Sequence, residues 1–155
     1  MKLWNWIVAV AWVGFSLPAH AATTDPFMVL YVWSGALDNG AGAGSGIASS
    51  VHCSSFSNVT ETLQFLVKLP GGGITGNATT PIAFASTVTA STHGTNAYSE
   101  TLFLNTGPLN QGSMAVLATS TNIFCTAQVL DAANTVPVGM SLHGIRFNPI
   151  PGTLE

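Results

Sequence analysis

The chain has 155 residues, room for one domain at roughly 100 to 200 residues each; 6% of it is charged and 47% hydrophobic. Its three basic residues, Lys2, Lys68 and Arg146, cannot neutralise the several phosphates that nucleic-acid binding requires, nor hold the chain on anionic lipid headgroups. Disorder is excluded as well, because a chain this apolar has enough hydrophobic surface to bury.

Residues 1–21 open with Lys2, run apolar to Leu17, break at Pro18 and end in Ala19-His20-Ala21, a small-x-small cleavage pattern. They are expected to be a secretory signal rather than a membrane anchor, since Pro18 and His20 close the stretch short of the roughly 20 residues that a span needs. Cleavage would remove 21 of the 155 residues and leave a domain over 22–155. Two basic residues would remain against six acidic ones, a net charge of −4 and no membrane span.

The segment PFMVLYVWS (26–34) is apolar on both faces and predicts a core strand, with Tyr31 and Trp33 as the residues that would form an interaction surface if it were exposed. After the glycine-rich linker 38–46, SGIASSVHC (45–53) turns Ile47, Val51 and Cys53 one way and Ser50 and His52 the other. TETLQFLVKL (60–69) alternates with Leu63, Phe65, Val67 and Leu69 on one side, and the glycines at 71–73 end it. GGGITGN (71–77) reads as a turn. PIAFASTVTAS (81–91) and AYSETLFLN (97–105) read as further strands, Tyr98 inward in the second and Glu100 on or near its apolar side. SMAVLATS (113–120) and NIFCTAQVLD (122–131) follow, Cys125 facing inward with Ile123, Ala127 and Val129. VGMSLHGIRFN (138–148) keeps one apolar face only if a bulge is inserted at Gly144.

About seven or eight short strands separated by glycine-rich turns, with no amphipathic helix and no internal repeat, predict an all-β fold. An antiparallel β-sandwich of immunoglobulin-like or jelly-roll type is expected, with a small barrel as runner-up. Cys53 and Cys125 are the only cysteines and are expected to form one intersheet disulfide in an oxidising compartment. Their spacing lacks the close pair typical of redox or thiolate metal sites.

Chemistry is sparse. His52, His93 and His143 are the available imidazoles for a zinc or copper site, with Glu100 or Asp131 beside them in a hydrolase, but no short spacing fixes two of them together. The expectation is therefore no metal, no cofactor and no catalytic residue. Asn58 and Asn77 begin N-glycosylation sequons, both in expected turns.

The stretches STHGTN (91–96), NIFCTAQVLDAA (122–133) and LHGIRFNPIPGT (142–153) resemble a group of small exported bacterial β-domain proteins of uncharacterised function. That resemblance implies an exported β domain and supplies no catalytic residues. Chaperone-usher pilins share the size and composition, but the cysteines here are too far apart and the C-terminus lacks a penultimate tyrosine. The expected role is structural, adhesive or protein-interacting, at the cell envelope or outside the cell, with self-association or an extracellular protein or glycan as the partner. A small secreted metalloprotein or hydrolase is the alternative.

Overall fold

A computed structural model describes residues 26–147, so the leader expected at 1–21 lies outside the described residues. Ten strands form two five-stranded sheets, packed together as the β-sandwich the sequence predicts. They are β1 (Met28–Asp38), β2 (Ile47–Ser55), β3 (Glu61–Lys68), β4 (Ile74–Ile82), β5 (Thr87–Ser91), β6 (Leu102–Phe103), β7 (Leu109–Ala118), β8 (Ile123–Asp131), β9 (Gly139–Ser141) and β10 (Gly144–Arg146). Sheet A runs β10-β1-β7-β3-β4 and sheet B runs β6-β5-β2-β8-β9. Among the described residues no helix is long and apolar enough to cross a membrane.

Period-two alternation builds the core. Leu63, Phe65 and Val67 of β3 and Met114, Val116 and Ala118 of β7 are buried from sheet A. Val51, Cys53, Val88, Ala90, Ile123 and Ala127 meet them from sheet B. β1 lies inside sheet A, between β7 and β10, and Trp33 is 2% exposed, as the core-strand reading requires. Its mixed pattern is resolved by bulges. A register shift between Val29 and Tyr31 turns Leu30 and Tyr31 both inward, and a second at Gly35, whose φ is 86°, lets Ala36 follow Trp33 into the core.

Several elements differ from the sequence expectation. The segment 71–77 contains the start of β4, because the ladder to β3 continues from Ile82 back to Ile74 despite two glycines and a proline nearby. The expected strand 81–91 is two elements in different sheets, separated by a turn in which Ala85 adopts φ 54°. The expected strand 97–105 shrinks to Leu102–Phe103, which pairs with β5 in parallel, the one non-antiparallel contact among the described strands. A parallel pair needs a crossover, and 92–101 provides it. No bulge restores the face at Gly144. Instead the chain leaves sheet B after β9 and enters sheet A as β10, passing through Leu142 and His143. A Cβ at Gly144 would collide with the Trp33 indole, so only glycine lets β10 lie this close to β1.

The disulfide forms between Cys53 and Cys125, but it is not intersheet. The two residues are directly opposite on neighbouring strands β2 and β8 of sheet B, with a Cα–Cα distance of 4.1 Å. Both side chains face inward, as alternation predicts, but they face inward from the same sheet.

Candidate functional site

The residues that could carry chemistry gather in two places, the outer face of sheet B and the end of the sandwich where β1 of sheet A meets the crossover. On the outer face of the sheet, pairing aligns Ser91, Ser50 and Gln128 in one row and Thr89, His52 and Thr126 in the next. Small polar residues alternate with core residues along these strands, so the outward positions form a hydroxyl-rich surface. The crossover 92–101 roofs its upper half, and Tyr98 packs on His52 with ring centroids 4.3 Å apart.

Under that roof the network closes on itself. His52 Nδ1 lies 3.0 Å from Thr89 Oγ1, and the Gln128 amide donates toward His52 Nε2 at 3.3 Å and to the Tyr98 hydroxyl at 2.5 Å. Since Gln128 Nε2 can only donate, this arrangement takes the tautomer with the proton on Nδ1. Burial pushes the His52 imidazole below the ordinary histidine range, and the Glu100 carboxylate opposes that in part. Glu100 sits half-buried in the crossover, where Oε1 accepts from the Thr95 amide at 2.8 Å and its hydroxyl at 2.6 Å. Its place is in the roof and not in the apolar core, because the segment expected to be a strand is a loop there.

Ser50 Oγ lies 3.4 Å from His52 Nε2, a serine–histidine juxtaposition that alternation allowed but residue spacing alone did not single out. The third group behind the imidazole is a threonine hydroxyl rather than a carboxylate. Ser50 itself is 0% exposed and accepts from Ser91 Oγ at 2.9 Å. A substrate carbonyl would have to displace the roof to reach it, and the arrangement acts as a polar staple between strands and crossover.

The second place is the end of the sandwich where the β1–β2 loop meets the start of the crossover. His93 Nδ1 is 2.8 Å from Asp38 Oδ2, and His93 Nε2 is 3.0 Å from the Ser45 carbonyl. Asp38, 2% exposed, also accepts from the Gly40 amide at 2.7 Å and from Thr106 Oγ1 at 3.4 Å. An Asp–His pair working in acid–base catalysis must present its second ring nitrogen to a substrate. Here a backbone carbonyl holds that nitrogen, so the ring ties the end of β1 and the β1–β2 loop to the crossover. His93 lies in a turn as expected, and Asp38, one of the candidate carboxylates of the sequence, meets it although no residue spacing pairs the two.

His143 is exposed at the corner between β9 and β10. Asp131 accepts from the Ala133 amide and the Asn134 side chain, closing the turn after β8. The three histidines do not converge, and among the described residues no group of three His, Cys, Asp or Glu side chains is placed to hold a metal ion.

Tyr31 and Trp33, which would have formed an interaction surface had β1 been exposed, are buried as the core-strand expectation requires and stack on each other with centroids 5.3 Å apart. The β1 bulge turns Tyr31 inward, so neither ring is offered to a partner. Their edges reach a cleft of about 190 Å³, where Cys125, Ala127 and Leu142 also lie. Aromatic residues are exposed elsewhere. Phe56 and Phe124 meet edge to face at 5.4 Å, and the Arg146 guanidinium lies 4.8 Å over the Phe124 ring while donating to the Thr121 carbonyl. Of the sequons, Asn58 lies in the β2–β3 loop as expected, but Asn77 lies on β4.

Comparison with known proteins places the chain beside none of them: no family model, no curated protein and no solved structure matches.

Proposed function

We infer that this protein is an exported, non-catalytic β-sandwich domain with a structural, adhesive or protein-interaction role at the cell envelope or outside the cell, akin to the small exported bacterial β domains its sequence resembles. One observation carries the reading. The exterior is nearly without charge yet displays large apolar side chains, with Phe56 65%, Phe84 61% and Met140 68% exposed among them. Singly exposed apolar side chains are ordinary, but Phe56 and Phe124 touch edge to face and form a contiguous apolar surface of the kind that meets other molecules. Export is supported by the leader pattern at 1–21 and by a disulfide of the kind that persists in oxidising compartments.

The test is to secrete the full chain, sequence its new N-terminus, and measure metal content and hydrolytic turnover on the purified peak. A mature chain beginning at Ala22, free of stoichiometric metal and of turnover on ester, peptide and glycoside probes, is the expected result. Stoichiometric zinc or copper, or turnover lost on His52→Gln, would replace this reading with the metalloprotein or hydrolase alternative.

A further inference from the structure

Three of the four sheet edges are closed by very short strands: β10 and β9 have three residues each and β6 has two. Short edge strands are one way in which proteins avoid pairing with their neighbours. The fourth edge is β4, nine residues long, and no charged residue lies on it. Its lateral hydrogen-bonding groups can be assigned. Thr62 of β3 gives its amide to Thr119 Oγ1 and its carbonyl to the Thr119 amide, so it faces β7, and its partner Pro81 faces away from β3. Antiparallel pairs alternate, so Thr79 opposite Gln64 and Asn77 opposite Leu66 also direct their amide and carbonyl groups out of the sheet. Pro81 has no amide to offer, which explains why a proline is tolerated there.

We propose that β4 is a self-association edge, on which a second copy of this chain pairs its own β4 antiparallel about a two-fold axis at Ala78, extending sheet A across the dimer. The proposal rests on the interaction-domain reading above and names the partner. In this register Asn77 faces Thr79 of the second copy, and the two symmetric pairs form four main-chain hydrogen bonds. The outward groups at 77 and 79 are all used, and Pro81 falls at the margin.

The charge distribution is compatible with the same arrangement. Lys68 lies beside Ile74 and Glu61 beside Ile82 at the two ends of β3. Two-fold pairing about Ala78 sets Ile74 against Ile82 of the second copy, so each Lys68 shares a row with the opposite copy's Glu61, three strand spacings or about 14 Å away. A parallel pairing would align like charges instead. At that distance, beyond a Debye length of about 8 Å at physiological salt, the charges are largely screened, so the main-chain pairing carries the affinity. Ile74 and Phe84, 57% and 61% exposed, flank the strand and supply apolar area. Strand pairing with so few flanking side chains belongs at the small end of specific interfaces, below about 1,200 Å². The dimer is accordingly weak and concentration-dependent.

Sedimentation equilibrium of the oxidised, secreted full chain from 1 to 500 µM tests this. Wild type is expected to pass from monomer to dimer within that range. Asn77→Lys with Thr79→Lys sets like charges opposite each other and should raise the dissociation constant at least tenfold, while Asn77→Lys with Thr79→Glu sets opposite charges together and should restore dimerisation. All four substituted side chains point to solvent on the outer face, and an unchanged thermal midpoint reports that each variant folds. A wild type monomeric at 500 µM, or a dimer indifferent to both charge variants, overturns the proposal. Metal content and turnover of the same peak decide the non-catalytic reading independently of mass, so either can fall without the other.

Discussion

His52 and His93 are two histidines of one small domain, 41 positions apart and both half-buried, yet they do different work. His52 lies on a strand under the crossover, held by uncharged hydroxyl and amide groups, with burial disfavouring its charged form. His93 lies in a turn, held between a buried carboxylate and a backbone carbonyl. The difference teaches that partners, not residue type, set an imidazole's role. A neutral network can seal a roof against a sheet, and a carboxylate can pin loops together. In each case the ring nitrogens are occupied from within the protein.

The largest expected effect separates the two regions. Replacing Cys53 and Cys125 by alanine removes a link across 72 residues, worth roughly 4 kcal/mol in the chain-entropy account. Because the link joins β2 and β8, which carry His52 and Gln128, hydrogen exchange should accelerate in those strands and in 92–101 more than around Asp38. Equal acceleration at both would show that the two regions unfold as one unit.

Next comes Asp38→Ala, which removes the acceptor of His93 Nδ1 and the Gly40 amide, while Thr106 keeps the Gly107 carbonyl and His93 Nε2 the Ser45 carbonyl. A loss of about 2 to 3 kcal/mol in urea denaturation is expected, since hydrogen bonds to a buried charged group are the costly ones to break. Tyr98→Phe cuts the roof more gently. It removes the acceptor of the Gln128 amide while keeping the ring on His52, and should cost about 1 kcal/mol. If Tyr98→Phe proved the more damaging of the two, the roof and not the carboxylate clamp would be the dominant polar tie.

The pH dependence sharpens the contrast at smaller amplitude. The folded His52 ring binds its proton less tightly than the unfolded chain does, so the unfolded state takes up more protons as pH drops below about 6.5. Stability from this site is therefore complete above that pH and declines as pH falls through the histidine range, and His52→Gln should flatten the urea midpoint there. The smallest effect belongs to Glu61, whose carboxyl is held below the ordinary carboxylate range first by the Thr119 hydroxyl and then by the Ser57 hydroxyl. Its contribution is present above that range and lost as pH falls through it. Glu61→Gln should remove only that acidic shoulder.

Alternation made most of the sandwich legible before any coordinates. The strands around Leu63, Phe65 and Val67, around Val51 and Cys53, and around Ile123, Cys125 and Ala127 bury the side that their period-two pattern marks, except at the ends, where Ile47 and Leu69 are exposed. Reading failed where the backbone departs from a regular pleat. The β1 bulges hid that Leu30 and Ala36 turn to the same side as Tyr31 and Trp33, Gly73 and Gly76 made an edge strand read as a turn, and the sheet switch at Leu142–His143 passed for a bulge. In the candidate site, His52 was rightly placed on the outward side, but its partners Tyr98 and Gln128 are 46 and 76 positions away. Residue spacing carries no information about such contacts.

What the sequence determined by itself is the all-β class, the inward orientation of Cys53 and Cys125, and the burial of Trp33, because side-chain alternation and hydrophobic burial are local consequences of residue order. Only the tertiary structure decided that the cysteines face each other within one sheet, that Asp38 and His93 meet, and that β4 ends its sheet unpaired among the described residues. Those depend on strand order and on where the crossover runs, which arise from the packing of the whole chain and leave no mark in any single segment.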